Sequence, residues 1–256
     1  MAPPFPRSLR RARIVDVHTH MVPSGDDGVA TVEEGFALCR QAAKRGTYLL
    51  YGTPHVNDDL PLTSERERIV RGNAKRLTEL LHAMGLELRV GFELHPSVAL
   101  RDADLRRYRL DRFDAVLLEC PLESDTGYGV DQIFAAADRI ESAGLLPVLA
   151  HPERSPAFLT EQRAGGEAAR RGWLLQVTAA SLLGRNGDEV ARFAWSLLER
   201  HNARLVASDA HRPDRPPFLD GALTVLSRRL GRRRAAGLLD GTALGVAAVR
   251  EPASAS

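Results

Sequence analysis

Histidines and carboxylates follow the short apolar runs of this chain, which is a pattern suited to binding metal ions. The first run leads into Asp16-Val-His18-Thr-His20, where two imidazoles two residues apart share one face of an extended strand. Further groups of this type are Asp26-Asp27-Gly28, Thr53-Pro-His55, Gly91-Phe-Glu93, Glu119, His151-Pro-Glu-Arg154 and Ser208-Asp209-Ala-His211. Parallel strands bring their carboxyl ends to one edge, so we predict a shared metal site there, with Asp16 orienting a neighbouring histidine.

The types of donor limit the choice of ion. Imidazole nitrogens mixed with carboxylate oxygens suit manganese, iron or zinc, whereas calcium prefers oxygen ligands throughout. The candidate ligands are His18, His20, His55, Glu93, Glu119, His151, Asp209 and His211. One ion cannot use them all, which predicts two or three divalent transition-metal ions, with Mn²⁺ preferred. Such clusters favour phosphoester hydrolysis because they clamp phosphoryl oxygens and acidify bound water.

Two arginines follow the predicted ligands closely enough to contact a bound phosphate. Arg154 lies three residues after His151, and Arg215 lies four residues after His211. A guanidinium group matches phosphate geometry with parallel hydrogen bonds, so we predict that both side chains grip the phosphoryl group. The alternative is that they are ordinary surface residues, because almost all of the 35 basic residues are arginine.

Short apolar runs predict the buried parallel strands that would carry these side chains. The runs are Ile14–His18, Thr47–Gly52, Leu86–Glu93, Ala115–Glu119, Leu146–Ala150, Leu174–Val177 and Leu205–Ala207. Helices are predicted between them, with capping boxes at Thr31–Glu34 and Ser64–Glu67 and further helices at Val130–Ala143 and Glu189–His201. Strands that alternate with helices favour an α/β fold with a parallel sheet, open or closed.

Composition excludes several classes of protein. The 256 residues are 44% hydrophobic and 27% charged, which is an ordinary globular balance, and the length suits one β/α barrel. No apolar run approaches the roughly 20 residues of a membrane span. A net charge of +2 and an aromatic content of 5% disfavour nucleic-acid binding. The two cysteines, Cys39 and Cys120, make no disulfide framework and predict a cytoplasmic location.

A second phosphatase pattern competes with the metal site. Cys39 and Arg45 have the C-x5-R spacing of cysteine-dependent tyrosine phosphatases. Such enzymes need a loop of free backbone N–H groups and a thiol of lowered pKa. Here the stretch follows the capping box at Thr31 within an amphipathic helix, whose N–H groups are already bonded. We therefore predict that Cys39 is a buried packing residue.

The order of the motifs resembles the polymerase and histidinol phosphatase (PHP) superfamily. That order is D-x-H-x-H, D-D-G, T-P-H, G-x-E, L-x-E, A-H-P-E-R and S-D-A-H, and the similarity spans about residues 13 to 250. Within the superfamily, the chain is most similar to the capsular-polysaccharide tyrosine-protein phosphatases of the CpsB/CapC type. Carboxylates at Asp27 and Glu119 favour this branch over the histidinol phosphatases.

The resemblance implies a distorted (β/α)7 barrel of the PHP type with a trinuclear metal centre. One ion would be held by His18, His20, Glu93 and Asp209, a second by Asp27, His55 and His211, and a third by Glu93, Glu119 and His151. The implied catalytic residues are Arg154, Arg215, Asp209 and His211. The implied single domain occupies residues 13–250, between a flexible basic N-terminal tail at 1–12 and a C-terminal tail at 251–256.

The resemblance also implies a protein-tyrosine phosphatase that uses metal-bound hydroxide and regulates capsule or exopolysaccharide synthesis. Its partner would be a phosphotyrosine-containing protein, in particular a bacterial tyrosine kinase, and no nucleic acid or membrane span is expected. Two alternatives stay open. One is a phosphatase of a small ester such as a sugar, nucleotide or histidinol phosphate, and the other is a non-catalytic metal-binding regulatory barrel.

Overall fold

The computed structural model describes residues 13–122 and 127–245. The predicted tails at residues 1–12 and 251–256 lie outside these residues. Within the described residues the fold is a mixed α/β fold whose paired strands are all parallel. No helix in this part of the chain is both long and apolar enough to cross a membrane.

The described strands form two parallel sheets. The strands are β1 Ile14–Thr19, β2 Thr47–Gly52, β3 His55–Val56, β4 Glu87–Val90, β5 Glu93–Leu94, β6 Ala115–Glu119, β7 Leu146–Ala150, β8 Leu174–Thr178 and β9 Leu205–Ala207. The first sheet has the order β1-β2-β4, and the second has the order β3-β5-β6-β7-β8-β9. The predicted bounds are confirmed for β2, β6, β7 and β9, while β1 and β8 extend one residue further.

The prediction of one strand over Leu86–Glu93 is wrong, because the chain divides this segment into β4 and β5. β2 stops at Gly52 and β4 stops just before Gly91, and the amide of Gly91 donates to the carbonyl of Gly52 at 3.0 Å. A Cβ atom at Gly91 would lie only 2.4 Å from the nearest side-chain atom, so this close approach requires glycine. Beyond the break, β3 pairs with β5 in a register that sets His55 beside Glu93.

Strands β1 and β9 lie side by side without a continuous ladder between them. Near their carboxyl ends, the amide of Asp209 donates to the carbonyl of His18 at 3.0 Å, and the amide of His20 donates to the carbonyl of Ala210 at 2.7 Å. Toward their amino ends, the segment 238–239 accepts one hydrogen bond from each strand. The direct contact at the carboxyl ends brings the polar side chains of both strands together.

Helices lie between successive strands, except between β2 and β3 and between β4 and β5. They are α1 Val32–Lys44, α2 Ser64–Leu81, α3 Pro96–Arg101, α4 Val130–Ser142, α5 Pro156–Thr160, α6 Arg163–Arg170, α7 Ala179–Leu182, α8 Asp188–Glu199, α9 Asp220–Leu230 and α10 Arg232–Gly237. Thr31 caps α1 as predicted, since its hydroxyl accepts a bond from the amide of Glu34 at 3.2 Å. The predicted cap of α2 is wrong by one residue, because Thr63 caps the helix and Ser64 is its first residue.

Two apolar clusters support the strands. The larger cluster lies between the helices and the sheets. The smaller one combines strands of both sheets, with Val15 and Val17 from β1, Leu117 from β6, Val148 from β7 and Leu205 from β9. Side chains alternate across a strand, so the two sheets share this interior cluster while their other faces contact the helices. The polar carboxyl ends of the strands are therefore supported by a packed apolar core.

Candidate metal centre

The predicted donor residues converge at the carboxyl ends of the strands. The donor residues form four groups. Within each group, the candidate ligand atoms all lie within 4.8 Å of one another. These groups are His20, Asp27, His55 and His211; His18, His20 and Asp209; His18, Glu93 and His151; and His55, Glu93 and Glu119. Each of the donor residues predicted from the sequence, including Asp27, belongs to at least one of the groups.

Glu93 lies at the centre of the cluster and is fully buried. Its Oε2 lies 3.0 Å from Nε2 of His18, 3.2 Å from Nε2 of His20 and 3.2 Å from Nδ1 of His55. Its Oε1 lies 2.9 Å from Nε2 of His151. One carboxylate thus contacts four imidazoles from three separate strand ends, which is the position expected of a bridging ligand.

The observed groups overlap with the implied ligand sets but differ from them in membership. Asp27, His55 and His211 lie together as implied, with His20 beside them and its ring stacked on that of His211 at 3.9 Å. The implied set of Glu93, Glu119 and His151 is divided, because Glu119 groups with His55 whereas His151 groups with His18. Glu93 belongs both to the group that contains Glu119 and to the group that contains His151.

Gln176 orients His18, and the sequence did not single it out. Its Oε1 lies 2.8 Å from Nδ1 of His18, and both side chains are fully buried. The residue expected to orient a histidine was Asp16, but its carboxylate instead accepts a hydrogen bond from the amide of Ser208 at 3.0 Å. Asp16 therefore anchors the chain just before Asp209, while Gln176 fixes an imidazole.

Asp26 is a second supporting residue that sequence reasoning missed. Its Oδ2 lies 3.0 Å from Nδ1 of His20 and accepts a bond from the amide of His55 at 3.2 Å. Its Oδ1 accepts a bond from the amide of Gly28 at 3.1 Å. The neighbouring Asp27 instead points at the ligand cluster, with Oδ1 lying 3.2 Å from Nε2 of His211.

Burial and the neighbouring carboxylates together set the pKa values of the imidazoles. Burial opposes a charge on His20, but hydrogen bonds with Asp26 and Glu93 outweigh it and raise the pKa of His20 to about 10. Burial dominates at His55 and lowers its pKa to about 4. Burial also opposes ionisation of Glu93, yet the surrounding imidazoles outweigh it and hold the pKa of that carboxyl well below its usual range.

Two donor residues have a backbone conformation that only glycine adopts readily. The φ angle is 38° at His151 and 52° at Asp209. Such a conformation costs on the order of 1 kcal/mol for a residue with a Cβ atom, so the surrounding structure must compensate for it. His151 directly follows β7, and Asp209 lies two residues after the end of β9. The left-handed turn directs both side chains into the cluster.

The donor set fits divalent transition-metal ions. Buried imidazoles with ionised carboxylates among them are the ligands that manganese, iron and zinc accept. Nδ1 of His151 is buried without a hydrogen-bond partner among the described residues, so one donor atom remains to be satisfied. The carboxylates also favour positive charge within the cluster, as the raised pKa of His20 shows.

The two predicted phosphate-binding arginines both contact Asp209. Nη1 of Arg154 lies 2.5 Å from Oδ2 of this carboxylate, and Nη2 of Arg215 lies 2.8 Å from the same oxygen. Arg215 lines the cavity over the donor cluster, whereas Arg154 lines an adjoining cleft. The structure thus brings both guanidinium groups to the edge of the cluster, on the side of Asp209.

A cavity of about 450 Å³ opens over the donor cluster. Beyond the donors, its walls come from the loop 57–60, from His95 and from Leu122. Asn57 fixes the loop by accepting bonds at Oδ1 from two following amides, and the ring of His95 packs edge-on against Tyr128 with centroids 4.9 Å apart. The cavity is large enough for a side chain that carries a phosphoryl group.

The competing cysteine motif does not form a phosphate site. Cys39 is fully buried inside α1, and burial raises the pKa of its thiol to about 12. Arg45 lies at the end of the helix and forms an ion pair with Asp220 at 2.9 Å. A neutral thiol among helical N–H groups that are already bonded cannot act as the nucleophile.

Similarity to known proteins agrees with this geometry. The chain is 28% identical over 225 residues to the tyrosine-protein phosphatase YwqE of Bacillus subtilis (strain 168), an alignment that covers 85% of each chain. It is 27% identical over 235 residues to the tyrosine-protein phosphatase CpsB of Streptococcus pneumoniae, covering 87% of this chain and 93% of the relative.

A solved structure shares the fold. It belongs to a study of YwqE from Bacillus subtilis and CpsB from Streptococcus pneumoniae, described as unique metal-dependent tyrosine phosphatases. The TM-score is 0.74 at 25% identity, over 88% of this chain and 91% of the other. The family model for capsular polysaccharide synthesis, CpsB/CapC, matches residues 14–243. The chain therefore belongs to the CpsB/CapC family.

Proposed function

We propose that this protein is a metal-dependent protein-tyrosine phosphatase that hydrolyses phosphotyrosine in proteins. The observation that carries the proposal is Glu93, a single buried carboxylate in contact with four imidazoles beneath an open cavity. The relatives named as tyrosine-protein phosphatases support the substrate class. Membership of a capsular polysaccharide family supports a role in capsule or exopolysaccharide synthesis.

The proposed cofactor is a set of two or three divalent ions, with Mn²⁺ preferred. The proposed ligand sets are those that the family resemblance implies, namely His18, His20, Glu93 and Asp209; Asp27, His55 and His211; and Glu93, Glu119 and His151. Bound there, the ions would supply positive charge to the phosphoryl oxygens and acidify a water molecule. Gln176 and Asp26 hold two of the imidazoles in the orientation that such ligation needs.

Arg154 and Arg215 are the proposed phosphate-binding residues. Both guanidinium groups contact Oδ2 of Asp209. A phosphoryl group offers more acceptor oxygens than one carboxylate, so the two guanidinium groups can turn from Asp209 to the substrate. The departing phenolate has an ordinary pKa of about 10, so it depends less on a proton donor than an alkoxide does.

The two sheets are proposed to form one distorted (β/α)7 barrel. The short strand β3 continues β2 beyond its break, and β5 continues β4 in the same way. The nine strands therefore correspond to seven strand positions. Backbone hydrogen bonds of His18 and His20 with the chain after β9 support closure of the barrel between the first and the last strand position. We place the single domain at residues 13–250, with the tails at 1–12 and 251–256 outside it.

The proposed partner is a phosphotyrosine-containing protein in the cytoplasm, and a bacterial tyrosine kinase fits this requirement best. The test is a comparison of kcat/KM for a phosphotyrosyl peptide and for sugar, nucleotide and histidinol phosphates, with Mn²⁺ and with chelator. We expect the peptide to be preferred and chelator to abolish turnover. Glu93→Gln should abolish activity, whereas the exposed Glu79→Gln should retain it.

Three other outcomes of this assay would change the conclusion. A preference of orders of magnitude for one small ester would replace the protein substrate with a metabolite. Bound metal without hydrolysis of any ester would make the protein a regulatory metal-binding module. Turnover that survives complete removal of metal would contradict the proposed chemistry itself.

A further inference from the structure

A second cleft adjoins the metal centre on the side of Asp209. Its volume is about 290 Å³, and it lies between the chain after β8 and the chain after β9. Arg154 and Arg215, which contact Asp209, form part of its wall, and Arg215 also lines the main cavity. A ligand in the cleft would therefore lie directly beside a phosphoryl group held at the metal centre.

The cleft carries more positive charge than its acidic residues can balance. Arg185 lines it together with Arg154 and Arg215, while Asp214 is the one acidic residue on the described part of its wall. The exposed side chain of Arg185 makes no ion pair or hydrogen bond with any described residue. An unpaired guanidinium beside two others attracts an anion with several oxygens.

A buried hydroxyl in the same wall also lacks a partner. Thr178 lines the cleft and is only 2% exposed, and its Oγ1 forms no hydrogen bond with any residue that the structure describes. Buried hydroxyl groups in proteins are nearly always hydrogen-bonded, so an unpaired one calls for an explanation. A ligand oxygen in the cleft would accept the bond that this hydroxyl can donate.

A buried network holds the loop that carries Arg185. The carboxylate of Glu153 accepts bonds from the amide of Thr178 at 2.9 Å and from the hydroxyl of Ser181 at 2.7 Å. The hydroxyl of Ser181 in turn accepts a bond from the side-chain amide of Asn186 at 3.0 Å. The amide of Arg185 donates to the carbonyl of Ala180 at 3.0 Å. The backbone of the cleft is thus fixed before any ligand arrives.

We propose that this cleft is an anion subsite that binds an acidic or phosphorylated side chain next to the phosphotyrosine of the substrate. The inference rests on the proposed phosphatase function and adds a sequence preference to it. Carboxylate and phosphoryl groups both present acceptor oxygens that Arg185 and Thr178 would recognise. The test therefore compares peptides that carry a glutamate with peptides that carry a second phosphotyrosine.

Another part of the wall of the main cavity, the loop 57–60, carries acidic residues. The loop 57–60 carries Asp58, which is paired with Arg101, and the exposed Asp59, whose carboxylate makes no ion pair with any described residue. A substrate that reaches both the cleft and this loop would meet positive charge at the cleft and negative charge at the loop. The preference for acidic residues should be confined to one side of the phosphotyrosine.

The test uses the metal-loaded full chain and a set of phosphotyrosyl peptides. One peptide has alanine at the three positions on each side, and the others carry a single glutamate, a single lysine or a second phosphotyrosine at each of these positions. The measured quantity is the ratio of kcat/KM for each peptide to kcat/KM for the alanine peptide. We expect a gain of about three- to fivefold for glutamate on one side only, the size of a partly exposed ion pair.

Matched variants assign the gain to the cleft. Arg185→Ala should bring the glutamate ratio close to one, whereas Arg192→Ala, which removes an exposed arginine from α8, should leave it unchanged. Thr178→Val should lower the ratio without lowering the melting temperature, because the hydroxyl that it removes has no partner in the protein. A gain for the second phosphotyrosine alone would also support the subsite and assign it to phosphoryl groups.

Three results would overturn the subsite. They are equal ratios for glutamate and lysine at every position with no gain for the second phosphotyrosine, an unchanged gain in Arg185→Ala, and an equal loss of the gain in Arg192→Ala. Turnover of the alanine peptide by the wild-type protein tests the phosphatase function separately. A protein that hydrolyses the alanine peptide but shows no preference would keep its proposed function and lose only the subsite.

Discussion

Nδ1 of His18 lies 2.8 Å from the side-chain oxygen of Gln176, while Nε2 of the same ring lies 3.0 Å from Glu93. An amide oxygen can only accept a hydrogen bond, so Nδ1 carries the proton and the lone pair of a neutral ring is on Nε2. The contact therefore sets the tautomer in which His18 can bind a metal ion shared with Glu93. Gln176 supports the metal centre without belonging to the ligand set.

Replacing Gln176 should weaken metal binding. We expect Gln176→Leu to lower the affinity for Mn²⁺ by about ten- to a hundredfold, because His18 loses the partner that orients it. Gln176→Glu retains an acceptor oxygen and should lose less. Titration against a chelating dye measures the affinity, and circular dichroism checks the fold. Wild-type affinity in the leucine variant would show that Gln176 has no positioning role.

The neighbouring Asp26 and Asp27 should differ in what they support. Asp26 accepts bonds from the amides of Gly28 and His55, so Asp26→Ala leaves buried donors unpaired and should lower the free energy of unfolding by about 1–3 kcal/mol. Asp27 is 63% exposed, and Asp27→Ala should abolish activity with little change in stability. Urea unfolding of the metal-free proteins and phosphatase assays of the loaded proteins separate the two effects. Equal losses of stability would contradict the assignment.

The strand ends were predictable from the sequence because six of the seven short apolar runs end in, or are closely followed by, a histidine or a carboxylate. Neither supporting residue was predicted. Spacing alone cannot decide which of two adjacent aspartates faces the ligands, so Asp26 was overlooked beside Asp27. Gln176 did leave a signal, since it is the one amide side chain within the apolar run Leu174–Thr178. A lone amide in a buried strand needs a partner, and that partner is His18.

The break between β4 and β5 could not be predicted from local pattern. Gly91 is needed there because Leu110, nineteen residues further along the chain, packs against its backbone. Such a contact is formed only in the folded protein, whereas the run Leu86–Glu93 by itself has the composition of a continuous strand. The break is also what places Glu93 opposite His55, so the error fell at the residue on which the site depends most.

Two helical glycines should respond to alanine in opposite directions. A Cβ atom at Gly72 in α2 meets nothing within 4 Å, so Gly72→Ala should raise the free energy of unfolding by about 1 kcal/mol through helix propensity. A Cβ atom at Gly35 in α1 would lie 2.5 Å from the carbonyl oxygen of Met21, and Gly35→Ala should lower it by about 1–3 kcal/mol. Urea unfolding measures both. A stabilising Gly35→Ala would contradict the packing of α1 against the chain after β1.

Cys39 should be inert in the folded protein. Burial raises the pKa of its thiol to about 12, so the thiol stays protonated at every pH well below that value and iodoacetamide should not modify it before unfolding. Cys39→Ser should retain phosphatase activity with a lower melting temperature, because a hydroxyl replaces a buried thiol. His18→Ala is the contrasting variant and should abolish turnover. Loss of activity in Cys39→Ser at full metal occupancy would restore the cysteine mechanism.

The most direct test of the metal centre is anomalous diffraction from crystals of the protein grown with Mn²⁺. We predict two or three anomalous peaks within ligand distance of the donor cluster, at least one of them in contact with Glu93. Crystals of Glu93→Gln should lose the peak at that position. An anomalous map with no peak among Glu93, His18 and His151 in fully loaded crystals would contradict the account.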